Sequence, residues 1–261
     1  MAGELLLDWP ADGVLRLTIS NRAKRNALDH PILDAIVAAL AGSEDARVVV
    51  LTGAGAMFSS GYDIGDIPSD VFAQQASELV AHPFTAALDA LESCPIPTLA
   101  ALPGHAIGGG LELALACDLR VAADGIRLEM PPARLGLVYS HTGLRRFLDA
   151  IGAPRTRELF LAARQVDART ALSWGLVNDV VSAADLEDVV LDLAEDIAAF
   201  SPLSVRGNKR VIRELLDARA RLDPDVEREL IELRDASLRS DDMREGVRAF
   251  AQKRPARWKG R

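Results

Sequence analysis

Cysteine is scarce in this 261-residue chain: only Cys94 and Cys117 occur, and neither stands in a CxxC pair or at metal-ligand spacing. That excludes a disulfide framework and fits a reduced, cytoplasmic protein. No second His or Cys accompanies His105 at ligand spacing, so no metal is expected. The start, MAGELLLDWPADG, lacks a basic stretch followed by a long apolar one, so no signal peptide is expected. Long apolar runs are also missing. The longest, around residues 99–119, is broken by Pro103, glycines, His105 and Glu112, which excludes a membrane span. Positive charge is in deficit: the formal net charge is −8, which argues against nucleic acid or an anionic membrane as a partner. There is no low-complexity segment and no repeat of fixed period.

The composition that remains, 49 % apolar and 26 % charged, is that of a globular chain long enough to bury a substantial core. ELLLDW and GVLRLTIS read as strands around the turn PADG, and HPILDAIVAALAG as a helix with an early proline and a closing glycine. RVVVLTG and PIPTLAAL read as buried strands, DLRVAAD and IRLEM as two more. GAGAMFSSGYDIGDIP reads as a loop, and residues 70–94 as a long helix kinked at Pro83. The alternation predicts an α/β protein. Beyond Gly143 the pattern turns helical. Asp167 is placed as a cap, Ser182 with Asp185 as an approximate capping box, and a soft boundary falls near residue 200. The expected division is therefore a core over 1–200 and a helical region over 201–261. From Arg244 to Arg261 seven basic residues stand against Glu245, either as a solvated end or as an anion contact.

Two glycine-rich segments follow buried strands. LTGAGAMFSSG has Phe58 where a dinucleotide fingerprint needs its third glycine, and no Gly-Lys-Ser/Thr follows, so neither NAD nor a P-loop nucleotide is expected there. GHAIGGGLELALACDL carries a Gly triplet at a helix start, at a cost of about 1 kcal/mol per glycine relative to alanine. Helix starts present free N–H groups and a positive dipole end. Two such loops after neighbouring strands can aim two donors at one oxygen, the geometry of an oxyanion hole. Glu112, near the first helical turn, is either a partner of the helix dipole or an acid/base group beside those donors. His105 reads as a loop or packing residue, and Ser59 and Ser60 lack a nucleophile-elbow context.

With both loops in view the chain resembles the crotonase superfamily, the enoyl-CoA hydratase/isomerase family. The matching segments are NRAKRNALD, MFSSGYDI, PGHAIGGGLELALACDLRVAAD, ALSWGLVNDVV and EGVRAFAQKRPARWKG, spread over nearly the whole chain. The resemblance implies a crotonase-like spiral of ββα units with a C-terminal helical region, assembled as a homotrimer or dimer of trimers. It implies an acyl-CoA thioester as substrate, with coenzyme A carried by that substrate and no other cofactor. It assigns the thioester oxygen to the backbone N–H groups of Tyr62 and Gly109, and catalysis through an enolate. It places Ala23, Lys24 and Arg25, with the basic tail, at the nucleotide end of CoA. Ser60, Asp63, Ile64, Gly108, Pro132 and Leu135 fall along the rest of the substrate.

Hydratases of this family hold one water between two glutamates. The first matches Glu112; at the second position stands Pro132, which has no titratable group, and Glu129 lies three residues earlier. PPARLGLVYSHTGLRRFL instead resembles the branch of the family that decarboxylates methylmalonyl-type thioesters, and Tyr139 matches that branch's tyrosine. Loss of carbon dioxide leaves an enolate directly, so one Glu and one Tyr suffice. Tyr139 as a half-buried packing residue is the plainer reading. A hydratase or isomerase is the alternative activity, and a non-catalytic acyl-CoA-binding homologue the alternative of another class. The bulk of Tyr62 implies a short or specially shaped acyl group.

Overall fold

The computed structural model describes residues 2–63 and 83–261. β1 (Glu4–Ala11) and β2 (Val14–Ser20) form an antiparallel pair, turning at Asp12 and Gly13. The strand thus runs through Pro10 and Ala11, which the sequence pattern had placed in the turn. Helix α1 (His30–Ala41) follows. It is capped by Asp29, whose side chain accepts the N–H groups of Ile32 and Gly3; such a cap contributes about 1 kcal/mol.

Three strand pairs then repeat one pattern. β3 (Val48–Gly53) and β4 (Met57–Ser59) are followed by α2 (Thr85–Ser93). Next come β5 (Thr98–Leu102), β6 (His105–Ile107) and α3 (Gly109–Leu115). The third unit is β7 (Leu119–Ala123), β8 (Arg127–Glu129) and α4 (Pro132–Leu135). In each pair the first strand joins a six-stranded sheet, ordered β1-β2-β3-β5-β7-β10, and the second a four-stranded sheet, ordered β4-β6-β8-β9. The chain therefore advances one ββα unit at a time as a spiral between two sheets, the crotonase fold. β2, β3, β5 and β7 pair in parallel, and the central β3 and β5 carry near-continuous apolar runs because strands inside a parallel sheet are covered on both faces. β4 and β6 lie in segments that the sequence pattern assigns to loops. At three residues each they are too short to display an alternation, and their parallel pairing alone defines them.

Helix α5 (His141–Leu161) comes next, followed by β9 (Val166–Asp167) and α6 (Ala168–Trp174), capped by Asp167 through the Thr170 N–H. β10 (Asp179–Val181) pairs with β7. The predicted box at Ser182 closes the turn before the next helix rather than the helix itself. Ser182 Oγ accepts the Asp185 N–H, and α7 (Leu186–Ala199) begins after it. Of the helix expected over 70–94, the part before Pro83 lies outside the described residues.

Beyond residue 200 come α8 (Pro202–Arg219), α9 (Pro224–Arg239) and α10 (Asp241–Ala251). They attach to the spiral by an apolar cluster, Leu238 and Met243 against Leu135 and Leu137, and by polar contacts. Lys209 Nζ donates to Ile96 O and Asp118, Arg145 pairs with Asp217, and Ser237 Oγ accepts the Val138 N–H. α8 buries no residue; Leu203, Val211, Ile212 and Leu215 stand exposed along it. The core lies between the sheets and the helices packed on them, with Phe58, Phe84 and Phe147 fully enclosed.

Candidate active site

The two glycine loops meet. Tyr62 forms an isolated parallel bridge with Leu28: the Leu28 N–H donates to Gly61 O (2.8 Å), and the Asp63 N–H to Leu28 O (2.9 Å). In that pattern the bridged residue's own N–H turns to the opposite side, so the Tyr62 N–H faces away from Leu28. The second loop passes close by. Gly61 has φ +90°, and a Cβ on it would lie 2.9 Å from Ile107 O and 3.3 Å from Gly109 N. Gly109 opens α3, so its N–H has no acceptor within the helix. Gly110 is equally constrained, since a Cβ there would lie 2.7 Å from the Ser59 Cβ. Close approach of the loops thus explains Gly109 and Gly110, while Gly108 supplies a φ of +55°. Asn26 holds the first loop in place by donating to Ala54 O and Met57 O (3.0 and 2.7 Å), and Ser59 Oγ accepts the Gly61 N–H.

Glu112, in the first turn of α3, is 2 % exposed. The Tyr139 hydroxyl donates to its Oε2, and Arg146 Nη1 donates to Oε1 at 3.0 Å. Arg146 extends from α5 and also forks onto both oxygens of Glu92 at the end of α2 (2.7 and 2.8 Å). Burial pushes the Glu112 carboxyl above the usual carboxylate range, although Arg146 and the Tyr139 hydroxyl oppose the shift. Burial, and then the charge of Glu112, push the Tyr139 phenol well up, so it remains a proton donor at neutral pH. Tyr62 is raised in the same way; its ring lies over Gly109 and edge-on to Phe84 at 4.7 Å. Gly143, in the first turn of α5, leaves room for this cluster: a Cβ there would lie 2.6 Å from the Tyr139 ring and 2.8 Å from Glu112 Oε1.

Pro132 is buried at the start of α4 and brings no titratable group. Glu129 is engaged elsewhere, with Arg134 Nη1 at 2.5 Å on one oxygen and Gln165 Nε2 at 3.0 Å on the other. Leu135 packs with Leu137 against Leu238 and Met243, where the C-terminal helices meet the spiral.

A cavity of about 1620 Å³ joins these groups. That exceeds the roughly 300–1,000 Å³ of a drug-sized site and suits a long ligand. Glu112, Tyr139, Tyr62 and Gly109 lie along its wall with Gly108, Pro132 and Leu135, and Ala23, Lys24, Arg25, Ser60 and Asp63 line it as well. Lys24 Nζ pairs with Asp63 at 2.8 Å, and Ser60 Oγ donates to Lys24 O. Ile64 lies outside the described residues. His105 uses Nδ1 to accept the Arg127 N–H, a structural role. Cys94 and Cys117 are buried and unpaired, and burial pushes the Cys117 thiol up to about 12, so it is not a nucleophile. Among the described residues no cluster of three or more His, Cys, Asp or Glu is placed to hold a metal, and no helix is long and apolar enough to cross a membrane.

Four of the seven basic side chains in the tail have acidic partners within the chain. Arg244, Lys259 and Arg261 approach Asp241, and Arg254 forks onto Glu245, whose carboxyl is held down at about 2. A count that starts at Arg244 misses Asp241 and Asp242, the acids against which these cations fold. Sequence reasoning also missed Arg146, Glu92 and Gly143. One signal was available for Arg146: it adjoins Phe147 on the apolar face of α5 formed by Gly143, Phe147 and Ile151.

A ββα spiral with two loops converging on a helix start, beside a buried carboxylate in a long cavity, defines an acyl-CoA enzyme of the crotonase superfamily. The chain belongs to the enoyl-CoA hydratase/isomerase family, which matches residues 10–261. It is similar to the probable enoyl-CoA hydratase echA6 of Mycobacterium bovis, 31 % identical over 96 % of this chain and 97 % of that protein. It is also similar to the carnitinyl-CoA dehydratase of Proteus mirabilis, 33 % identical over 93 % of this chain and 94 % of the relative. Among solved structures it resembles methylmalonyl-CoA decarboxylase in complex with 2-nitronate-propionyl-CoA, with a TM-score of 0.90, 26 % identity and 99 % of each chain covered.

Proposed function

We propose that this protein decarboxylates a short malonyl-type acyl-CoA through a thioester enolate. The observation that carries this reading is the state of Glu112. Both of its oxygens are engaged, by Tyr139 and by Arg146, and the position for a second water-holding carboxylate is Pro132. A carboxylate so held is a poor general base, and decarboxylation needs none. The thioester oxygen lies between the N–H groups of Tyr62 and Gly109, where negative charge develops as the carbon–carboxylate bond breaks. The bond electrons pass into the enolate and carbon dioxide leaves. When Glu112 carries a proton it donates to the Tyr139 oxygen, which frees the phenol O–H to orient the departing carboxylate or to pass its proton to Cα, the proton being replaced through Glu112 from solvent.

The nucleotide end of CoA lies along Ala23, Lys24 and Arg25, and Ser60, Asp63, Ile64, Gly108, Pro132 and Leu135 flank the rest of the substrate, with no cofactor beyond the CoA it carries. The exposed apolar side chains of α8 support a homotrimer or dimer of trimers. The site belongs to a cytoplasmic enzyme on this reading. The raised Glu112 carboxyl favours a second reading, an enoyl-CoA hydratase or isomerase in which it exchanges a proton with the substrate.

The test is to incubate the protein with methylmalonyl-CoA, crotonyl-CoA and a 3-enoyl-CoA and follow products by mass. Loss of carbon dioxide from the first is the expected result. Water addition to crotonyl-CoA at a comparable rate would overturn it.

A further inference from the structure

Helix α9 lies along the segment that carries Tyr139, and its contacts settle which face it turns there. Glu227 meets His141 Nε2 at 3.2 Å, Ser237 Oγ accepts the Val138 N–H at 3.0 Å, and Leu238 packs with Leu135 and Leu137. Arg234 falls between these anchors, seven residues after Glu227 and one turn before Ser237, on the same face. It lines the same cavity as Tyr62 and Tyr139, together with Ile231 and Leu238.

The other cations around this part of the cavity have partners. Arg146 has Glu92 and Glu112, Arg145 has Asp149 and Asp217, Lys209 has Asp118, Arg134 has Glu129, and Arg213 reaches the Glu92 carbonyl. Arg234 is half-buried and has no carboxylate partner among the described residues. A guanidinium withdrawn from water without a counter-ion is unfavourable, and its planar fork matches a carboxylate.

We propose that Arg234 is the recognition residue for a carboxylate carried on the acyl chain, so that the enzyme selects anionic acyl-CoA thioesters over apolar ones of equal length. The inference rests on the acyl-CoA reading of the site. The carboxylate is either the one on Cα or one further along the chain, and both present the same chemistry to the guanidinium. They differ in consequence: holding a Cα carboxylate aids binding while opposing its loss, whereas holding a distal one leaves the reacting bond free.

Affinities for three matched pairs test this, by calorimetric titration except for malonyl-CoA, which the enzyme consumes and whose binding is read by rapid mixing before turnover: malonyl-CoA against butyryl-CoA, succinyl-CoA against valeryl-CoA, and glutaryl-CoA against hexanoyl-CoA. In the native protein at least one charged member binds about tenfold or more tightly than its apolar match, and the pair showing the largest ratio locates the carboxylate. In Arg234→Gln that ratio falls to about one, and Arg234→Lys keeps part of it, with folding checked by circular dichroism. Equal binding within all three pairs, or a preference that survives Arg234→Gln, overturns the assignment and leaves the acyl-CoA reading standing. Failure of the native protein to bind any of the six thioesters overturns both.

Discussion

Replacing Arg146 by glutamine removes the counter-ion of a carboxylate that has almost no contact with water. Glu112 and Arg146 side chains are 2 % and 9 % exposed, so solvent screens their attraction little. Removing one partner of such a buried pair costs about 3–5 kcal/mol. The carboxylate limits that cost by taking up a proton, at about 1.4 kcal/mol for each unit by which the pH exceeds its pKa. The sign follows from the raised Glu112 carboxyl. The folded state holds the proton more tightly than the unfolded chain, whose value is near 4.5. The associated stability is fully present below that value and is lost as pH rises through the folded one. Arg146→Gln moves the folded value higher still. Its penalty is therefore smallest at low pH, where the carboxyl holds its proton, and grows with pH towards about 3–5 kcal/mol, that of a broken buried pair. Urea unfolding of native protein and variant at pH 5, 6.5 and 8 measures this. The double variant Glu112→Gln/Arg146→Gln should recover most of the loss at pH 8, because an amide needs no counter-ion. A penalty independent of pH, or a double variant as unstable as the single one, would refute the reasoning.

Tyr139→Phe removes the hydroxyl that meets Glu112. It should lower kcat by about 10²-fold or more with a smaller change in KM, read from steady-state decarboxylation. Gly109→Ala puts a Cβ 3.0 Å from the Tyr62 ring where the two loops meet, and should lower kcat by about 10-fold or more with helix content unchanged by circular dichroism. Gly143→Ala places a methyl 2.8 Å from Glu112 Oε1 and should cost about 1–3 kcal/mol in urea unfolding.

The parts of the site that follow one another in sequence were legible in it. Gly109 and Glu112 share one helix start, and the Gly-rich loop ending at Tyr62 follows a strand as the triplet does, so both loops announced themselves by pattern. That Pro132 stands at the second carboxylate position came from the family resemblance and not from any local pattern. Arg146 and Glu92 were not legible. They reach Glu112 from α5 and α2, and no local period ties residue 92 to 112 or 146. The strands β4 and β6 escaped notice because three residues carry no alternation, and their register exists only once the spiral closes. The ion pairs of the tail were not legible, because Asp241, which Arg244, Lys259 and Arg261 approach, precedes the basic run. Arg234 looks like any charged residue of an amphipathic helix until α9 is placed against the segment holding Tyr139.

On the proposed mechanism the enolate arises by loss of carbon dioxide, without a free carboxylate base, and turnover in deuterium oxide distinguishes this from proton abstraction. Methylmalonyl-CoA should yield propionyl-CoA carrying one deuterium at Cα by mass, and propionyl-CoA supplied on its own should acquire none. Deuterium exchange into propionyl-CoA at a rate comparable to turnover, or no release of carbon dioxide from methylmalonyl-CoA, would contradict it.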